Sequence, residues 1–277
     1  MQGLLNFFKE PTITNALLSK KHRYLVFSVA VFSLIYLYSE AVLRISMGLS
    51  LLVVLVTLLG SIAVQYPNIA KQNISYILLM PYHFIAGILL SIHLFPNLAL
   101  PIKFVLFFAV GVLSYILSLM TNIFLVVHER QKLVPLYRVA NTWAQILVVI
   151  VAIPYFTGIF KLEFNPLLQN FIVALSGFSF VLYMFWTQRY DPDSIDISLV
   201  EQVVDSLQVA TGMFFAGLAV AFLPTESFLR GVFIAAVLMA GYGYMESHYK
   251  NSITRKLVVQ YSLIVLLFLV ILLISQN

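Results

Sequence analysis

Nine runs of mainly apolar residues, each long enough to cross a lipid bilayer as a helix, follow one another along the sequence. A spanning helix needs about 20 such residues, because the hydrocarbon core is about 30 Å thick. The runs lie near residues 24–40, 43–65, 74–95, 103–127, 138–160, 167–188, 201–223, 227–246 and 256–275. Within lipid only helices and closed barrels satisfy the backbone, and a barrel needs a polar–apolar alternation that these runs lack. The sequence therefore predicts an all-α, polytopic integral membrane helix bundle with about nine transmembrane helices.

Charged residues are too few for a water-soluble protein. They make up 10% of the 277 residues, against about 25% in soluble domains, while the mean hydropathy is +0.98. The net charge of +5 comes from short clusters of Lys and Arg between the apolar runs, a pattern typical of contact with anionic headgroups. We therefore expect membrane lipids as partners and no nucleic acid. The absence of cysteine excludes disulfides and thiolate metal sites.

The positions of Lys and Arg predict the orientation of the chain. With nine spans and a cytoplasmic N-terminus, 12 of the 16 basic residues fall on the cytoplasmic side, as the positive-inside rule requires. Merging the first two spans would place Arg130, Lys132 and Arg138 on the outer side, so nine spans are favoured over eight. We predict a cytoplasmic N-terminus, an outer C-terminus and a place in the cytoplasmic membrane of a bacterium or archaeon.

The sequence predicts a simple domain organisation. The first apolar run ends in Tyr38-Ser39-Glu40 without the small-residue cleavage site of a signal peptide. Residues 1–23 before it favour an amphipathic segment on the cytoplasmic membrane surface. Residues 24–275 are predicted to form a single transmembrane bundle. Within it, small residues at helical spacing, such as Gly212 in span 7 and Gly231 in span 8, predict that these two helices pack closely in the interior. Span 9, nearly pure Leu, Val and Ile, is predicted to face lipid.

Polar residues on one face of span 7 form the first part of a candidate pocket. Ser198 and Glu201 match a capping box that begins this helix. Glu201, Asp205 and Gln208 then recur at intervals of four and three residues, which places them on one helix face. Gln208 lies about 10 Å past Glu201 by the helical rise, inside the apolar layer. This stripe either lines a cytoplasm-facing cavity or consists of a helix cap and one interhelical hydrogen bond.

Span 5 has the same arrangement at the same depth. Arg138, Asn141 and Gln145 are spaced by three and four residues on its cytoplasmic half. Two polar stripes at one depth predict a shared polar pocket between spans 5 and 7, with Arg138 as a partner for Asp205 or Glu201. The alternative is a structural ion pair with amide hydrogen bonds between helices.

His83 is the ionisable residue predicted to lie deepest in the membrane, about 14 Å into span 3 by the helical rise. Pro81 just before it frees a backbone carbonyl that a neighbour or water must satisfy. Intramembrane ionisable residues are functional candidates, and a proton relay or a ligand is one interpretation of His83. The other is a neutral, hydrogen-bonded histidine inside the bundle.

The acidic loop before span 7 is similar in composition to a metal site. It carries Asp191, Asp193 and Asp196, and three carboxylates can hold Mg²⁺ or Ca²⁺. The glycine and the distal glutamate of a calcium loop do not fit here, so we interpret the segment as a solvated turn. Phosphate-binding, dinucleotide-binding and zinc motifs do not occur in the sequence, and we predict no cofactor and no metal.

Three classes of function fit these features. The first is binding or transport of a small solute or lipid through the pocket between spans 5 and 7. The second is a membrane-embedded enzyme on a lipid-linked substrate, with Asp205, Glu201 and Arg138 as acid, base and anion-holding groups. The third is a scaffold subunit, or a homo-oligomer, that associates through its helices. Convergence of these side chains on a water-accessible cavity would favour a pocket, and pairing in a closed bundle would favour the scaffold.

Overall fold

The computed structural model describes residues 20–41, 47–94, 99–130, 135–189, 191, 193–195 and 197–275. Of these residues 87% are helical, so the prediction of an all-α fold is confirmed. Nine of the helices in this part of the chain are long and apolar enough to cross a membrane, which confirms the number of predicted spans. Insertion into a membrane and the orientation of the termini stay predictions.

The helices are numbered α1 to α9 in chain order, so that each number matches its predicted span. A short 3-10 helix, Lys71–Asn73, precedes α3. The helices extend over Lys20–Ala41, Met47–Gln65, Ile74–Leu94, Leu100–Arg130, Tyr137–Lys161, Pro166–Gln188, Leu199–Ala221, Ser227–Tyr249 and Arg255–Ile274.

The chain divides into two compact units. The first comprises Met1–Tyr82 and Phe95–Ala140, and the second comprises His83–Leu94 and Asn141–Asn277. Their boundaries fall inside α3 and α5. The single bundle stays a prediction, and the predicted amphipathic segment falls mainly on residues 1–19, outside the described residues.

In the first unit, α1 packs against α2 and α4, and α2 packs against α4. Gln65 of α2, which is only 3% exposed, joins all three helices. Its Nε2 donates to the carbonyl of Ser118 on α4 at 2.8 Å, and its Oε1 accepts from the hydroxyl of Tyr24 on α1 at 3.5 Å. The rings of Phe32 and Phe104 meet edge to face between α1 and α4. A buried amide and apolar rings therefore hold this unit together.

In the second unit, α7 packs against α6 and α8, and α8 packs against α9. Glycines lie where a neighbouring side chain comes close: Gly177 of α6 faces Met213 of α7, and Gly241 of α8 faces Val209 of α7. The predicted packing of spans 7 and 8 against each other is thereby confirmed. Helix α9 leaves most of its surface exposed, as predicted, and Leu272 is its one buried residue.

Side-chain caps fix the starts of three helices. The side chain of Asn165 accepts from the backbone N–H of Leu167 in the first turn of α6, and that of Thr254 accepts from the N–H of Leu257 in the first turn of α9. Ser198 and Glu201 form the predicted capping box, which is confirmed. Each cap satisfies backbone N–H groups that have no partner within the helix. The polar turns of the sequence therefore mark where the second unit's helices begin.

Candidate functional site

The polar residues of α7 have separate surroundings. Glu201 is exposed, and its Oε2 accepts from the backbone N–H of Ser198 at 2.8 Å within the capping box. The Oδ2 of Asp205, a partly buried residue, accepts from the hydroxyl of Tyr249 at the end of α8. Gln208 is exposed. One residue of the stripe therefore caps its own helix, one is bonded to α8, and one faces outward.

The polar residues of α5 belong to both units. Arg138 lies in the first unit and is exposed, whereas Asn141 and Gln145 lie in the second. Oδ1 of the buried Asn141 accepts from the hydroxyl of Thr187 on α6 at 3.4 Å. Nε2 of Gln145 donates to Oε2 of Glu246 on α8 at 3.1 Å. The second unit thus brings Gln145 to α8, and the predicted pairing of Arg138 with an acidic residue of α7 stays a prediction.

Glu246 also takes part in an ionic network at this end of the second unit. Nζ of Lys250 lies 2.8 Å from Oε1 of Glu246 and 3.0 Å from Oδ2 of Asp191. The side chains of Lys250, Glu246 and Asp191 are 24%, 18% and 10% exposed, so all three are largely removed from water. Burial opposes the charge of the ammonium group, but hydrogen bonds and charges from both carboxylates outweigh it and raise the pKa of Lys250 above its ordinary value. Two carboxylates thus share one ammonium group.

Sequence reasoning missed Glu246 and Lys250 as site residues. Their spacing of four residues, acidic before basic, is the usual spacing of an ion pair on one helix face, and it was visible near the end of span 8. The link to Asp191 was not visible, because it depends on how the acidic loop returns to α8.

The acidic loop is fastened to α8 through its backbone as well. The backbone N–H of Ile195 donates to the carbonyl of Tyr249 at 3.0 Å, and Oδ1 of Asp191 accepts from the N–H of Asp193 at 3.1 Å. Such side-chain-to-backbone bonds two residues apart are typical of turns. Among the described residues no three His, Asp or Glu side chains converge as metal ligands, and Asp196 lies outside them. The bonds around Asp191 favour the interpretation as a turn.

His83 lies in an aromatic part of the second unit and is 2% exposed. Its ring centroid is 4.3 Å from that of Phe180 and 5.0 Å from that of Tyr155. The hydroxyl of Ser176 donates to the Tyr155 hydroxyl at 3.0 Å. Aromatic faces thus cover the imidazole, and its predicted roles as relay or ligand stay predictions.

Gln188 at the end of α6 is a second buried polar residue that sequence reasoning missed. It is 1% exposed, and neither atom of its amide bonds to another group within the described part of the protein. Its neighbour Thr187 is the residue bonded to Asn141, so this amide lies at the depth of the predicted pocket. The sequence alone gives no sign of it, because glutamine at the end of a predicted span is usually solvated.

The outward face of α7 contains small and polar residues at mid-helix. A Cβ placed on Gly212 would meet no atom of another residue within 4 Å in the described structure, so the predicted interior contact at this glycine is wrong. Thr211 beside it is exposed, and its hydroxyl donates to the carbonyl of Leu207 in its own helix at 2.8 Å. Gln208, Thr211 and Gly212 form what we call the α7 polar face.

No protein-family model matches the chain, and no curated protein or solved structure does either. The side chains themselves are therefore the guide to function. Their arrangement fits a multi-pass membrane protein whose polar groups lie at one end of the second unit and on the α7 polar face.

Proposed function

We propose that this protein is a membrane-embedded assembly subunit that associates side by side with a second copy of itself. The observation that carries the proposal is the outward direction of Gln208 in the middle of an apolar helix. The pairing of the other polar groups supports it: Gln145 bonds to Glu246, Asn141 bonds to Thr187, and Asp205 is bonded by Tyr249. These groups are engaged in holding helices together.

The depth of Gln208 makes its outward direction costly for a monomer. It is the tenth residue of α7, about 14 Å from the helix start, so in a core about 30 Å thick it lies near the midplane. An amide that faces hydrocarbon without a hydrogen bond costs several kcal/mol. It is too deep for its short side chain to reach the aqueous interface. A polar partner from another helix removes this cost.

A second copy fits this face because a carboxamide is self-complementary. It has both donor and acceptor groups, so two Gln208 side chains related by a two-fold axis can bond reciprocally. Gly212, one turn further on, leaves open space that lets two α7 helices approach closely, as small residues do in membrane helix pairs. The exposed Leu207 and Phe215 beside the face supply apolar contacts for the rest of such an interface.

Replacement of Gln208 by leucine should weaken self-association about eightfold or more, because two reciprocal hydrogen bonds of about 0.6–2 kcal/mol each are lost. Gly212→Leu should also weaken self-association, because the leucine side chain occupies the space in which the two α7 helices approach each other. Gln208→Asn should retain part of the self-association. Stoichiometry is measured by single-molecule photobleaching in liposomes over a series of protein-to-lipid ratios.

Gln260→Leu is the matched control, because Gln260 is also exposed but lies only about 8 Å from the start of α9, nearer the interface. It should dimerise like the wild type. A wild type that stays monomeric at every ratio contradicts the proposal, and so does a dimer that Gln208→Leu leaves unchanged.

Binding of a small solute or lipid in a polar pocket is a second candidate, favoured by the buried amide of Gln188. Buried polar groups are nearly always hydrogen-bonded, so an amide without a partner among the described residues indicates a place for a polar occupant. Gln145, Asn141 and Asp205 contribute bonds between helices rather than free groups, so this candidate rests on Gln188. The enzyme interpretation has no comparable observation behind it.

The variant Gln188→Met tests whether a polar ligand is bound at the side-chain amide of Gln188. With a polar occupant, we expect the variant to lose about 1–3 kcal/mol of unfolding free energy, because the occupant loses its bond. The measurement is reversible unfolding in mixed detergent micelles, with the exposed Gln260→Met as control. A gain in stability would show that the surroundings of Gln188 are apolar and empty, and would remove this candidate.

A further inference from the structure

We propose that a groove between α1 and α2 binds one acyl chain of an anionic phospholipid, with the lipid phosphate at Arg23. The groove lies in the first unit, far along the chain from the α7 polar face, and the inference is independent of the proposed assembly. It rests on the shape of the groove, on its length and on the position of the Arg23 charge at its end.

The groove has a volume of about 420 Å³ and is lined almost entirely by apolar groups of both helices. Val26, Ala30 and Leu34 line it along α1, and Val56 and Ala63 line it along α2. The hydroxyl of Thr57, the one that the described lining contains, donates to the carbonyl of Val53 at 2.8 Å within α2. Away from Arg23, the described walls of the groove therefore offer contacts to a hydrocarbon chain rather than to a soluble ligand.

Glycine gives the groove part of its depth. A Cβ placed on Gly60 would come within 2.5 Å of the ring of Phe27, so the absence of a side chain lets this ring lie against α2. The small side chains of Ala30 and Ala63 are exposed within the same groove. Small residues on both walls thus leave room for a chain between two helices that pack together.

The length of the groove matches one leaflet of a bilayer. Arg23 and Leu34 are eleven residues apart on α1, which corresponds to about 16 Å along the helix. Half of a hydrocarbon core about 30 Å thick is about 15 Å. One acyl chain can therefore lie along the groove with its headgroup at the end where Arg23 is placed.

Among the described residues, Arg23 is the only charged one that lines the groove. Its Nη1 donates to the carbonyl of Tyr66 at 2.7 Å, which holds the guanidinium at the groove's end. Its Nε is buried and bonds to no group in the described protein. Guanidinium groups bind phosphate through several N–H donors at once. The positive charge of Arg23 favours a lipid phosphate that is not neutralised by a cationic headgroup. We therefore expect phosphatidylglycerol to bind in preference to phosphatidylcholine.

The test compares lipids and variants in the full-length protein. Native mass spectrometry of the detergent-solubilised protein, titrated with phosphatidylglycerol or phosphatidylcholine, counts the lipids retained. We expect one tightly retained phosphatidylglycerol in the wild type. Arg23→Gln should weaken its binding about fivefold, the contribution of one basic residue at an anionic surface, and Arg23→Lys should weaken it less.

Ala30→Phe should displace the lipid by filling the groove, and Val29→Phe is its matched control. Val29 is the preceding residue, is exposed and does not line the groove, so its replacement should leave lipid binding unchanged. Equal retention of both lipids, or equal retention by Ala30→Phe and the wild type, overturns the inference. Binding of soluble glycerol phosphate with the same affinity would also overturn it, because the acyl chain would then contribute nothing.

Discussion

Replacing Gly231 with alanine should destabilise the second unit by about 3 kcal/mol or more, although the change adds a single methyl group. A Cβ at this position would lie 2.7 Å from the amide nitrogen of Thr157 and 3.0 Å from its Cα. These are backbone atoms of α5, so no side-chain rotation relieves the contact and α8 must move as a whole. Inserted atoms typically cost 1–3 kcal/mol even where side chains can adjust. The free energy of unfolding in mixed micelles measures the effect.

Gly212→Ala is the matched control and should change stability in the opposite direction. Open space surrounds that position, so the new methyl group meets nothing and only helix propensity changes. Alanine is favoured over glycine in a helix by about 1 kcal/mol, and the unfolding of the dilute, monomeric protein should show a gain of that order. If Gly231→Ala gained as much stability as Gly212→Ala, α8 would not approach α5 closely at Gly231.

Lys250→Met should cost about 2–4 kcal/mol of unfolding free energy. The ammonium group lies 2.8 Å from Glu246 and 3.0 Å from Asp191, and its removal leaves two largely buried carboxylates without a counterion. Removing one partner of a buried pair costs about 3–5 kcal/mol, and the residual exposure of these groups reduces the figure. The exposed Lys256, replaced in the same way, is the control and should change stability little.

The same variant should alter the pH dependence of stability. The pKa of Lys250 is raised in the folded protein, so its contribution is fully present below the unfolded value of about 10.4 and is lost as pH rises through the folded value. The difference in unfolding free energy between wild type and Lys250→Met should therefore stay constant from about pH 7 to 9 and shrink above about 10.4. A constant difference across the whole range would mean that the ammonium charge does not stabilise the fold.

The number and limits of the helices could be predicted from the sequence because both depend on local properties. Hydropathy alone separates the nine runs, and the capping box at Ser198 marks the start of α7 without any knowledge of its neighbours. In a chain solvated by lipid, length and apolarity suffice to define a spanning helix.

The rotation of each helix could not be predicted, because the apolar surface extends around most of its circumference. In α7 the exposed Leu207 and Phe215 are as apolar as the buried Val209, so hydropathy does not distinguish the outward side from the inward one. Gly212 was therefore expected in the interior and is found outside. Gly231 was expected in the contact between spans 7 and 8, but the backbone that it approaches is that of Thr157 in α5.

The candidate site was predicted only in part, for the same reason. The two polar stripes lie in the predicted helices, but the partners of their residues depend on how helices face one another. Gln145 bonds to Glu246 of α8, a residue that the spacing within α5 cannot indicate. The bond from Tyr249 to Asp205 likewise joins residues 44 positions apart.

The contact between Gly243 and Tyr261 has a consequence for the last helix. From Leu263 onward helix α9 is apolar on every side, and the helix buries only Leu272, so a uniform hydrocarbon environment gives this part no preferred angle about its own axis. The Tyr261 ring lies against Gly243 of α8, where a Cβ would come within 2.9 Å of its Cε1. The pair of Gly243 and Tyr261 thus fixes the rotation of α9 about its axis, which the apolar residues of the rest of the helix leave undetermined.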